Sequence, residues 1–108
     1  MNRRLLFVCS QNKLRSHTAE TVYSDHPGIE VDSAGLRPEA VVPLSPEQIE
    51  WADLILVMEK SHRTKLSKRF RNYLSGKRIV VLGIPDEYDY MDPVLVELIK
   101  SRCARFIS

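Results

Sequence analysis

Residues 4–16 read Arg4-Leu5-Leu6-Phe7-Val8-Cys9-Ser10-Gln11-Asn12-Lys13-Leu14-Arg15-Ser16. The apolar run Leu5 to Val8 is too short for a helix and is closed by the polar stretch Ser10 to Lys13, which suits a buried strand ending at Cys9. From Leu14 the period changes. Leu14, Ala19, Val22 and Tyr23 fall near one helical face, and His26-Pro27-Gly28 ends the helix with strong breakers. The unit is a strand, a polar loop and a helix, and the rest of the chain repeats its logic.

Downstream, Ile29 to Asp32 alternates like a strand, after which Ser33-Ala34-Gly35 is expected to turn away. Pro38, Pro43 and Pro46 exclude regular structure between them, so residues 36–44 are expected as a surface loop. Ser45-Pro46 reads as an N-cap with proline at the first helical position, opening a short helix through Ile49 and Trp51 before the strand Leu54 to Met58. Ser61 is the expected cap of a helix from His62 to about Leu74, ended by Ser75-Gly76. Arg78 to Leu82 reads as a fourth buried strand, and Asp92-Pro93 opens a last helix with an apolar stripe at Leu95, Leu98, Ile99, Cys103 and Phe106. Strands alternating with helices require right-handed crossovers between parallel neighbours. The expected fold is a small doubly wound α/β domain: a four-stranded parallel sheet with helices on both faces and, after strand one, a polar loop placed where such sheets bind ligands. Residues 1–108 are read as one such domain.

Composition agrees. The chain has 108 residues, 44% hydrophobic and 28% charged, with 16 Lys and Arg against 14 Asp and Glu. That is ordinary globular usage for one core, and it excludes disorder and fibrous repeats. No apolar stretch approaches the roughly 20 residues that span a bilayer, and Met1 to Arg4 opens no signal peptide, so a cytoplasmic protein without membrane contact is expected. The two cysteines, Cys9 and Cys103, form neither a CxxC nor a Cys/His cluster. No disulfide framework, metal site or cofactor is expected from them.

The chemistry concentrates in the first loop. A loop that wraps into a helix N-terminus aims backbone N–H groups and the positive end of the helix dipole at one point, where an oxyanion binds. Arg15 adds a planar bidentate clamp. The same field favours the thiolate of Cys9, which makes it a nucleophile near neutral pH. Ser16 can donate a hydrogen bond to that thiolate, and Asn12 tolerates a left-handed backbone conformation inside the loop.

Cys9-x5-Arg15-Ser16 directly after the first strand resembles the signature of the low-molecular-weight protein tyrosine phosphatases. Val31-Asp32-Ser33-Ala34-Gly35, the segment from Ala52-Asp53-Leu54 to Ser61-His62, and Ile84-Pro85-Asp86 resemble further segments of that family. The resemblance implies metal-independent hydrolysis of a phosphorylated protein or small aryl phosphate without a cofactor. Cys9 would be the nucleophile, Arg15 the clamp and Asp86 the general acid. Ser10, Gln11, Asn12, Lys13, Leu14 and Ser16 would hold the phosphoryl group, and Tyr88 would form an aromatic wall. Asp92, before Pro93, competes with Asp86 for the acid but also reads as a helix cap. The chain departs from the family at Gln11, where glycine is usual, at Leu14, where many members carry cysteine, and at His17, where proline commonly follows. The stretch between Gly35 and Trp51 is also shorter than in typical members.

Rival readings are a phosphate- or phosphopeptide-binding module without turnover, and a thiol-dependent arsenate reductase, which would need further cysteines to relay electrons. His17 and His62 read as local packing or surface residues. Lys60 to Arg78 carries eight basic residues and no acid. Such a run is usually a solvated helix face, and nucleic acid is not the expected partner.

Overall fold

The computed structural model describes residues 2–107. Strand β1 (Arg3–Cys9) leads through the loop into α1 (Arg15–Tyr23), followed by β2 (Ile29–Gly35), α2 (Pro46–Trp51), β3 (Leu54–Val57), α3 (Lys60–Arg69), β4 (Arg78–Val81) and α4 (Pro93–Ile107). The strands form one parallel sheet in the order β2-β1-β3-β4.

Side-chain alternation along β1 divides the core into two layers. Leu5, Phe7 and Cys9 face α1 and α4, where they meet Ala19, Tyr23, Leu95, Ile99 and Phe106. Leu6 and Val8 face the opposite layer, built on Ile49 of α2 with Leu66 and Phe70 of and after α3. Leu5 to Val8 are fully buried, as a central strand covered on both faces must be. The doubly wound architecture expected from the alternation is the observed one. Among the described residues no helix is long and apolar enough to cross a membrane.

Four local expectations are corrected. β2 continues through Gly35 instead of turning at Ser33, because each residue to that point pairs with β1, ending at Cys9 opposite Gly35. Helix α3 begins at Lys60, with Glu59 rather than Ser61 at the cap. The His62 side chain accepts from the Glu59 N–H there, and the helix yields to a 3₁₀ turn at Arg71–Tyr73. Residues 36–44 are not a free surface loop: Leu36, Ala40 and Leu44 are buried, and Gly35 bridges Pro43. Prolines exclude helix and ladder but not burial. Finally, the buried side of α1 is largely polar, made of Arg15, Ser16 and Thr18 beside Ala19 and Tyr23. Its apolar stripe is correspondingly short, because that face packs on the anion loop as well as on the core.

Candidate active site

The strand order reverses direction between β1 and β3. β1 feeds α1 on one face and β3 feeds α3 on the other, so their carboxyl ends border the crevice in which such sheets bind ligands. Cys9 ends β1, and its Sγ faces the loop from below. The Asn12 N–H donates to it at 3.2 Å. Asn12 reaches that position with φ of 53°, a left-handed conformation that asparagine tolerates better than most side chains.

Ser16 has one hydroxyl proton and two neighbours at 2.9 Å, Cys9 Sγ and Asn12 Oδ1. While Cys9 is a thiol, S–H donates to Ser16 Oγ and Ser16 donates to Asn12. With the hydroxyl turned instead toward the sulfur, Ser16 is placed as a donor to Cys9 Sγ.

Arg15 is 3% exposed despite its charge. Its Nη1 donates to Glu59 Oε2 at 2.6 Å and to the Ile84 carbonyl at 2.8 Å, while Nε lies 3.8 Å from Asp86 Oδ1. Both Nη1 hydrogens are thus committed to holding the side chain. Among the described residues no hydrogen bond occupies Nε or Nη2, the edge that can grip two phosphoryl oxygens. The hydrogen bond from Arg15 holds the Glu59 carboxyl below its ordinary range.

His62 joins this group from α3 and is 2% exposed. Its Nδ1 accepts from the Glu59 N–H at 3.1 Å, so the ring proton lies on Nε2, which donates to Ser10 Oγ at 3.1 Å. Burial, reinforced by the Arg15 charge, pushes its pKa down to about 4. The ring is a neutral bridge between the first loop and the start of α3.

A second brace comes from residues 36–44. The Arg37 N–H donates to the Ser10 carbonyl at 2.9 Å and the Val41 N–H to the Gln11 carbonyl at 3.0 Å. Gly35 makes the approach possible, since a Cβ there would lie 2.7 Å from Ser10 O and 2.8 Å from Asn12 N.

Of the residues singled out from the sequence, Cys9, Ser10, Gln11, Lys13, Leu14, Arg15 and Asp86 line one cleft together with Arg37. Asn12 and Ser16 lie beneath it against the sulfur. Tyr88 does not line the cleft; it is half-buried against the core, where its ring covers apolar surface. Asp92 is elsewhere too: its Oδ1 accepts from the Val94 N–H at 2.9 Å and caps α4. Tyr90 bonds Thr21 and packs its ring on His17. Reading along the chain missed Arg37 and Glu59 and placed His62 among packing residues. Glu59 and His62 follow β3, whose carboxyl end borders the crevice only by virtue of the strand order, so the sequence held no local signal for them. No local pattern marks Arg37. Among the described residues no three His, Cys, Asp or Glu side chains converge as a metal site.

No family model matches the chain, and no curated protein matches it by sequence. Solved structures do. The tyrosine phosphatase Wzb from Escherichia coli K30, in complex with phosphate, superposes with a TM-score of 0.79 at 20% identity, covering 99% of this chain and 97% of the other. The low molecular weight protein tyrosine phosphatase SP-PTP from Streptococcus pyogenes gives a TM-score of 0.78 at 15% identity, over 98% and 94% of the two chains. The YwlE arginine phosphatase from Geobacillus stearothermophilus gives 0.65 at 24%, over 95% and 84%. The chain has the fold of these phosphatases. Within this phosphatase fold, the Cys9 loop occupies the crevice at the strand-order reversal, with Arg15 buried beside it.

Proposed function

We propose that this chain is a cysteine-dependent phosphomonoester hydrolase of the low-molecular-weight tyrosine phosphatase type, acting as a single domain on phosphotyrosine in proteins or on small aryl phosphates. The observation that carries the reading is the surround of Cys9 Sγ: a backbone N–H at 3.2 Å, a hydroxyl at 2.9 Å and a buried arginine lining the same cleft. These are the groups that hold a thiolate ready and meet a phosphoryl dianion.

In the first step the Cys9 thiolate attacks phosphorus, the bond to the leaving oxygen breaks, and Asp86 gives that oxygen its proton. Arg15 and the loop N–H groups take the charge that develops on the equatorial oxygens. Water then attacks the phosphocysteine, Asp86 takes the water proton, and inorganic phosphate leaves as the thiolate is restored. Asp86 suits the acid role because it lines the cleft, whereas Asp92 is engaged as a cap. An arsenate relay has little support, since Cys103 is fully buried and burial pushes its thiol up to about 12. Two free thiols favour a reducing compartment, and we place the protein in the cytoplasm on that ground.

Hydrolysis of para-nitrophenyl phosphate between pH 5 and 8, with EDTA present, tests the proposal. Wild type is expected to turn over, and Cys9→Ser and Arg15→Ala to lose activity. Asp86→Asn is expected to lower kcat by roughly 10²–10⁴, with Asp92→Asn far milder. No turnover by folded wild type would leave a binding module; a large loss in Asp92→Asn alone would move the acid.

A further inference from the structure

Two cationic side chains at the mouth of the Cys9 cleft take no part in the steps above, which draw on the loop only through its backbone N–H groups. Lys13 and Arg37 line it beside Leu14 and Asp86. Arg15 has its charge answered by Glu59 at 2.6 Å. Lys13 has no ion pair among the described residues, and Arg37 has only a solvent-exposed contact to Glu39 at 3.7 Å, a separation worth little in water.

Arg37 is nevertheless not a loose surface residue at its backbone. Its N–H donates to the Ser10 carbonyl at 2.9 Å, and Arg69 holds the carbonyl of the preceding Leu36. The side chain therefore projects from a fixed point beside the loop. What the cleft lacks is equally informative: no aromatic side chain lines it, since Tyr88 is packed on the core and Tyr90 is bonded to Thr21. A substrate ring finds no stacking partner at this mouth, whereas a second negative charge finds two cations.

Resting on the phosphatase reading, we propose that Arg37 and Lys13 select phosphomonoesters carrying a second anionic group beside the phosphate, met in a protein substrate as an acidic residue next to phosphotyrosine. Exposed charge pairs of this kind give about 2- to 5-fold each, so together they set a preference of roughly tenfold.

The test reads binding rather than turnover. Fluorescence anisotropy with Cys9→Ser protein compares a phosphotyrosyl peptide flanked by glutamates with the same peptide flanked by glutamines, and with the unphosphorylated glutamate peptide. The acidic phosphopeptide is expected to bind about tenfold tighter than the glutamine form at low ionic strength, with the difference shrinking in about 0.5 M salt. Adding Arg37→Ala is expected to cut the preference to about threefold, and Arg37→Glu, whose charge opposes that of Lys13, to abolish it. Equal affinity for the two phosphopeptides, a preference that survives Arg37→Glu, or equally tight binding of the unphosphorylated peptide would overturn the proposal. Wild-type turnover of the same peptides is measured separately. Its absence would count against phosphatase activity while leaving the binding ratio to judge selection.

Discussion

His62 is held neutral from two directions: the Glu59 N–H occupies Nδ1, and burial beside the Arg15 charge pushes the pKa down to about 4. In the unfolded chain the ring titrates near 6.5. The folded value is the lower one, so the unfolded state binds the proton first as pH falls. Stability from this group is complete above about pH 6.5, declines through the window down to about 4, and is then level. Urea unfolding is expected to show a loss of about 2–3 kcal/mol between pH 7 and pH 4.5 that His62→Asn lacks. Identical slopes in both proteins would show that the ring is not held neutral. Residues such as these explain what was legible in the chain. Cys9 to Ser16 are contiguous, so their spacing alone brings them together. Glu59 and His62 reach the same place only because β3 lies beside β1, which no local period states.

At the scale of elements, alternating apolar runs and breakers were enough to locate the four strands and four principal helices along the chain, though not the order of the strands in the sheet. Periodicity reports apolar burial, however, and fails where burial is polar or irregular. It therefore overstated the apolar stripe of α1, whose inner face holds Arg15 and Ser16, and it missed that residues 36–44 are pulled onto the anion loop. Gly35 is the contact on which that packing turns. A methyl there would sit 2.5 Å from the Ala40 Cβ and within 3 Å of two backbone atoms of the loop. Gly35→Ala is expected to cost about 1–3 kcal/mol and to weaken phosphate or vanadate binding. Gly28→Ala is the comparison: it meets open space but has φ of 82°, so it should cost about 1 kcal/mol through backbone strain and leave anion affinity unchanged. Calorimetry on the two variants separates these outcomes, and equal anion affinity in both would mean that the brace does not shape the loop.

For the molecule as a whole, both cysteines are buried, Cys9 at 3% and Cys103 fully, yet their surroundings are opposite. Cys9 faces N–H and O–H donors, while apolar burial pushes the Cys103 thiol up to about 12. Iodoacetamide near pH 6 is expected to alkylate Cys9 alone, with phosphate or vanadate protecting it and Cys103 labelled only on unfolding. Mass spectrometry finding equal, slow labelling of both would sink the thiolate reading. The isolation of Cys9 has a further consequence. Position 14 in its own loop is leucine, and Cys103 is enclosed under α4, so neither can capture an oxidised sulfur as a disulfide. Peroxide that converts Cys9 to a sulfenic acid meets no resolving thiol in the chain, and where no small thiol caps it first, oxidation is expected to run on to sulfinic and sulfonic acids that ordinary thiols do not reverse. An oxyanion seated over the sulfur is then the chain's own shield, and survival under oxidant depends on how often the cleft is occupied.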